Sequence, residues 1–171
     1  MAKVLLIIAP KDFREDELFG IKEALESNGI KTEIASTTKE IAKGTSGREV
    51  KPDKSLKEVD PENYDYIIII GGSGSLSLLH SKDIFRIIRN AKNIGAICLA
   101  PVILAVAGVL RDKEATVFET IDTLKAFKNQ GCRYVEEDVV VDGTTITGNG
   151  PNATKEFARE LVKLVKKVSK K

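Results

Sequence analysis

The stretch Gly95-Ala96-Ile97-Cys98-Leu99-Ala100-Pro101 sets a single thiol between a short apolar run and the opening of an apolar helix. A sharp strand-to-helix turn of this kind lifts a side chain out of a sheet and onto a helix N-terminus. Unpaired N–H groups and the helix dipole favour negative charge there. Cys98 is therefore expected to ionise more readily than a free thiol, and the thiolate is the nucleophilic form. The backbone N–H groups of Leu99 and of Gly72, which lacks a Cβ and permits close approach, are expected to converge near the sulfur as an oxyanion hole. Glu17, just inside the first helix, is the candidate partner. A carboxyl beside a thiolate has its pKa raised by the like charge, and once protonated it can donate to the sulfur or shuttle protons. Read by themselves, Cys98 also suits a buried structural cysteine, and Glu17 suits a carboxylate complementing the helix dipole, a role that fits Glu15 and Asp16 well.

Other chemistries find less support. The chain has one histidine, His80, and thiol enzymes often use an imidazole base, but Leu79-His80-Ser81-Lys82 reads as a helix junction away from the elbow. Gly71-Gly72-Ser73-Gly74 lacks the third glycine of a dinucleotide fingerprint, and no Gly-Lys-Ser/Thr follows it, so a phosphate cradle is disfavoured. No CxxC pair and no Cys/His cluster surrounds the two cysteines, Cys98 and Cys132, so no metal site is expected. No cofactor is expected either. A net charge of +2 is too small for a dedicated nucleic-acid surface. The N-terminal apolar run is too short for a signal peptide core, and no apolar stretch is long enough to span a bilayer. A cytoplasmic protein with no membrane partner is the expectation, and a Cys98–Cys132 disulfide is not.

These residues need elements to position them. With 42 % apolar and 30 % charged residues, the 171-residue chain has the composition of one globular domain spanning residues 1–171. Strands are expected over 3–9, 30–36, 66–70, 94–98 and 115–118, with a hairpin over 138–147 turning at Asp142-Gly143. Helical patterns cover 16–28, about 75–90, 101–107, 120–129 and 152–169, and one helical turn is expected over 55–59. Lys163, Lys166, Lys167, Lys170 and Lys171 form the solvated face of the last helix. Residues 37–54 read as a loop or a small exposed hairpin. The four consecutive isoleucines, Ile67–Ile70, are apolar on both faces, as in the middle of a parallel sheet covered on both sides. Alternating β and α units place candidate sites beyond the carboxyl ends of the strands. The loop after Ala9, the Gly71–Gly74 loop and Cys98 all fall at that edge.

The pieces Lys3–Pro10, Phe13 to Leu18, Gly71-Gly72, Ala96-Ile97-Cys98 with Pro101, Gly108-Val109-Leu110, Asp142-Gly143 and Gly150-Pro151 together resemble the ThiJ/PfpI superfamily over nearly the whole chain. The resemblance implies a flavodoxin-like three-layer α/β sandwich of the class I glutamine amidotransferase-like kind, with a mostly parallel central sheet and helices on both faces. It makes Cys98 the elbow nucleophile, Glu17 its carboxyl partner, and Gly72 and Leu99 the backbone donors. It also implies a homodimer or higher homo-oligomer, with Arg48 near the dimer seam and the site. Three positions depart from the family pattern. Leu99 stands where the peptidase-like branch has a histidine, Leu76 stands near its acidic residue, and Thr120 stands near the histidine of the deglycase branch.

The expected activity is therefore glyoxalase- or deglycase-like, with a small-molecule carbonyl substrate, Cys98 attacking and Glu17 as acid/base. The alternatives are a redox sensor or stress protein using an oxidisable Cys98 and, with no histidine after the cysteine, least of all an intracellular peptidase.

Overall fold

Ile67–Ile70 leave no accessible surface, and they alternate between two cores. Ile67 and Ile69 join Leu5 and Ile7 on one side of the sheet, while Ile68 and Ile70 join Val4, Leu6 and Ile8 on the other. This is the burial pattern of central strands covered on both faces. The structure, a computed structural model, describes residues 1–170, and Lys171 lies outside the described residues.

In chain order the elements are β1 (Lys3–Ile7), β2 (Lys11–Phe13), α1 (Glu15–Ser27), β3 (Lys31–Ser36), β4 (Ala42–Gly44), β5 (Glu49–Val50), β6 (Lys54–Ser55), β7 (Tyr66–Ile69), α2 (Lys82–Asn90), β8 (Ile94–Ile97), α3 (Pro101–Val106), β9 (Glu114–Ala115), α4 (Ile121–Asn129), β10 (Arg133–Tyr134), β11 (Val139–Asp142), β12 (Thr145–Gly148) and α5 (Thr154–Ser169). The main sheet has seven strands in the order β11-β12-β8-β7-β1-β3-β6. All its pairings are parallel except β11 with β12. Helices α1 and α5 pack on the face carrying Leu6 and Ile68; α2, α3 and α4 cover the face carrying Ile7 and Ile69. The expected three-layer α/β sandwich is the observed architecture.

The chain builds outward from β1 through β3 to β6, then returns to the other side of β1 with β7. Strand order reverses between β1 and β7, and the crevice beyond the strand ends at such a switch point is where open α/β sheets place their sites. The segments following β1, β7 and β8 converge there. Arg14 N–H donates to Gly71 O at 2.9 Å, and Gly74 N–H donates to Asp12 O at 3.0 Å.

The local expectations are met with added detail, and one is shortened. The small hairpin expected within residues 37–54 is β4/β5, which also pairs with β2 in a separate three-stranded sheet. The sequence gives no period-2 signal over the three residues of β2, and tertiary pairing supplies their order. The expected strand 115–118 is only the two-residue β9, paired with β10 outside the main sheet. The turn over 55–59 is a 3₁₀ segment, Leu56–Glu58, closed by a Ser55/Glu58 capping box. Among the described residues, no helix is long and apolar enough to cross a membrane.

Candidate functional site

Cys98 sits at φ 65, in the left-handed region that a residue with a β-carbon rarely occupies. A conformation of this kind costs of order 1–3 kcal/mol and persists only where its surroundings enforce it. Here Cys98 N–H donates to Gly148 O at 2.9 Å, and Cys98 O accepts from Phe118 N–H at 2.8 Å. Pro101, with no N–H to satisfy, then starts α3. The result is a strained elbow with a thiol at its apex.

Glu17 is fully buried. The start of α1 fixes its position: Arg14 O accepts the Leu18 N–H at 3.1 Å while Arg14 N–H is tied to Gly71 O. Glu17 Oε1 accepts the Gly71 N–H at 2.9 Å. Its second oxygen, Oε2, has no hydrogen-bond partner. Burial is the main cause that pushes the Glu17 pKa up, from an ordinary 4.5 to about 7; the Gly71 N–H, Arg14 and the Cys98 thiol pull it partly back. The expected cause, repulsion from a thiolate, is thus corrected. Desolvation dominates, because the whole carboxyl lies under the sheet edge.

The expectation of an easily ionised thiol is also corrected. The Cys98 pKa is pushed up to about 11, first by burial and second by the Glu17 charge, and the amides of Gly72 and Leu99 and the Arg14 charge offset this only in part. The six-residue α3 brings too little field to outweigh desolvation. The two amides singled out in the sequence do lie where they stabilise charge on the sulfur.

The double glycine makes this geometry possible. A Cβ on Gly71 would lie 2.4 Å from Cys98 Cβ, 2.7 Å from Ile97 O and 2.8 Å from Glu17 Oε1. A Cβ on Gly72, which has φ 116, would lie 2.4 Å from Asp12 O and 2.6 Å from Arg14 N. The loop is no phosphate cradle. Gly71 N–H goes to Glu17, Gly74 N–H to Asp12 O and Ser75 N–H to Gly72 O.

A cavity of about 240 Å³ opens onto Cys98, Gly72 and Leu99. Arg14, Thr45 and Ser73 give it polar groups, and Phe118 and Pro151 give it apolar surface. It is smaller than the roughly 300–1,000 Å³ of sites for drug-sized ligands, so it suits a compound of a few heavy atoms. Of the residues singled out in the sequence, the structure brings Cys98, Glu17, Gly72 and Leu99 together. Arg48 is not among them: its guanidinium stacks 3.6 Å from the centre of the Phe19 ring, on the outer side of α1. Thr45, three residues earlier, reaches the cavity instead. Glu15, expected to serve the helix dipole, also accepts from Thr45 Oγ1 and from the amides of Ser46 and Arg48. These bonds outweigh its burial and hold its pKa below the ordinary value. His80 is exposed at the end of a 3₁₀ segment, away from the cavity. Both cysteines are free.

Sequence reasoning missed Arg14, Thr45, Phe118 and Pro151. Arg14 had one available signal, its place directly before the acidic first turn of α1. Pro151 had one in the Gly150-Pro151 piece of the family resemblance, and Phe118 had none, since it arrives from a segment distant in sequence.

A family model described as the DJ-1/PfpI family matches residues 2–164. Deglycase PfpI of Pyrococcus furiosus is 30% identical over 166 residues, covering 95% of this chain and 99% of that protein. Glutathione-independent glyoxalase DJR-1.2 of Caenorhabditis elegans is 28% identical over 162 residues, covering 92% of this chain and 86% of that protein. The crystal structure of a ThiJ/PfpI domain protein from Brachyspira murdochii superposes with a TM-score of 0.91 at 27% identity, covering 96% of each chain.

Proposed function

The chain belongs to the DJ-1/PfpI family, and on that premise we propose that it is a thiol enzyme acting on small reactive carbonyl compounds, with Cys98 as nucleophile and Glu17 as acid/base. The observation that carries this reading is Glu17, a buried carboxyl whose Oε2 makes no close hydrogen bond among the described residues and for which the Cys98 thiol is the neighbouring side-chain donor. An unsatisfied buried oxygen of this kind destabilises the fold by about 1–3 kcal/mol. The names of relatives, a deglycase and a glyoxalase, give the same chemical class.

Between pH values of about 7 and about 11 the pair holds one proton. Two close titratable groups share it as a unit. With the proton on sulfur, Oε2 is the base that receives it as sulfur attacks an aldehyde carbon. The alkoxide that forms lies against the amides of Gly72 and Leu99 and takes that proton from Glu17, which gives the hemithioacetal and restores the carboxylate. For an α-oxoaldehyde, Glu17 then removes the C1 proton and a proton returns to C2, which turns the hemithioacetal into a thioester of the 2-hydroxy acid. Water hydrolyses that thioester and frees the thiol. Net, one water is consumed and no electrons leave the substrate.

A peptidase is disfavoured, because Leu99 follows the cysteine and His80 lies outside the cavity. A redox sensor is disfavoured by a thiol held protonated and 8% exposed, since oxidation follows thiolate character and access. The test is lactate formation from methylglyoxal by the unmodified protein and by Cys98→Ser. Lactate from the first and a background rate from the second support the proposal, and equal rates overturn it.

A further inference from the structure

Arg14 is the one charged side chain among the described residues lining the Cys98 cavity. Its backbone is fixed at both ends of the peptide, by Gly71 O and by the Leu18 N–H. Its guanidinium is not fixed in the same way. Among the described residues, the only ion pair it makes is with Asp16, at 3.7 Å, with the two side chains 41% and 76% exposed. A pair that long and that wet contributes little and is readily exchanged for a better anion. The remaining polar groups of the cavity are the hydroxyls of Thr45 and Ser73 and the two amides at the sulfur. No carboxylate lines the cavity; Glu17 sits behind Cys98 with no accessible surface.

We propose that Arg14 is a specificity-determining residue that seats a carboxylate in this cavity, so that the compounds reaching Cys98 are small aldehydes carrying a carboxylate rather than neutral ones. This rests on the carbonyl reading above and deepens it. A guanidinium fork binds a carboxylate through two parallel N–H···O bonds, which orients as well as attracts. With the carboxylate held there, the aldehyde at the other end of a short molecule is the group left facing the sulfur. The addition is balanced: an S–C bond forms, the carbonyl π bond breaks, and the thiol proton ends on oxygen. An α-oxoaldehyde with a carboxylate tail then takes up one water and leaves as a 2-hydroxy dicarboxylate, by the same steps as a neutral one.

Iodoacetate and iodoacetamide test the seat without any need for turnover. Both alkylate a thiol in one way, with sulfur attacking the methylene carbon, iodide leaving and the thiol proton passing to solvent. They differ only in carrying a carboxylate or a neutral amide. Rates at Cys98 are read by peptide mass spectrometry at one pH, and their ratio cancels the thiolate fraction. In Arg14→Gln the iodoacetate/iodoacetamide ratio at Cys98 is expected to fall by about 2- to 5-fold, the upper part of the range for a partly exposed ion pair, with Arg14→Lys in between. The ratio at Cys132, packed in the other core, should not move and serves as reference within the same chain. An unchanged ratio at Cys98, or no alkylation there by either reagent, overturns the proposal. A shifted ratio from a protein that makes no lactate from methylglyoxal keeps the carboxylate seat and removes the glyoxalase chemistry. Lactate formation with an unshifted ratio does the reverse.

Discussion

Glu17→Gln is expected to make the protein more stable while removing its activity. The carboxyl titrates at 4.5 when exposed and at about 7 in the fold. Between those values the folded state holds the proton and the unfolded state has released it. Stability contributed by the neutral carboxyl is therefore complete below about 4.5 and declines as pH rises through about 7. Above that, the difference between 4.5 and about 7 is worth about 3 kcal/mol against folding, at about 1.36 kcal/mol for each tenfold change in proton affinity. Glutamine keeps the shape, accepts the Gly71 N–H through its carbonyl oxygen and never ionises. Urea unfolding at pH 8 should give a variant about 3 kcal/mol more stable than the unmodified protein. For a chain of this size that is roughly 6–12 °C in Tm. At pH 4 the two proteins should differ little. Loss of the acid/base group should lower lactate formation by about 10²- to 10⁴-fold. A variant less stable at pH 8, or one with the same gain at both pH values, would refute the argument that burial rather than function sets this pKa.

Two further expectations follow from the same geometry. The turnover rate with methylglyoxal should rise with pH through about 7, as the Cys98/Glu17 pair loses the first of its two protons, and stay level until the second leaves near 11; a pH–rate profile flat between 5 and 9 would contradict the shared-proton mechanism. Gly71→Ala should destabilise the fold by roughly 1–3 kcal/mol and lower turnover, because the new Cβ falls 2.4 Å from Cys98 Cβ; denaturant unfolding and lactate release measured on one preparation check both.

The sheet was legible because its signal is local. Four buried isoleucines alternate between two cores whatever surrounds them, and the hairpin signalled by Asp142-Gly143 closes with Gly143 at φ 65, the glycine that the first central position of a type II′ turn requires. The site residues were legible where one short motif carries two constraints, as at Cys98-Leu99-Ala100-Pro101. What escaped the sequence depends on contacts between distant segments. Strand β2 exists only through β4, and Glu15, in the acidic first turn of α1 as expected, is in addition a clamp for residues 45–48. Arg48 shows the same limit from the other side. The family resemblance put it near the site and a dimer seam, but within the chain the Phe19 ring, 29 residues earlier in the sequence, decides where its guanidinium lies. The ionisation states failed for a related reason. A helix N-terminus is visible in sequence and the depth of a sulfur is not, and depth sets the sign of the Cys98 shift.

That failure clarifies the chemistry. A thiol acidified by its surroundings would rest as a thiolate and react with any electrophile, peroxide included. Here burial keeps sulfur protonated, and the base that can take the proton is a carboxyl whose own pKa burial has brought to about 7. The desolvation that makes Glu17 costly to the fold also makes it basic enough to work near neutral pH. Both effects come from Gly71, which admits the carboxyl and the thiol to one enclosed space because it has no side chain of its own. The nucleophile is then generated only when a substrate carbonyl accepts the electrons, so selectivity passes from the thiol to the groups lining the cavity, and Arg14 is the one among them that carries a charge.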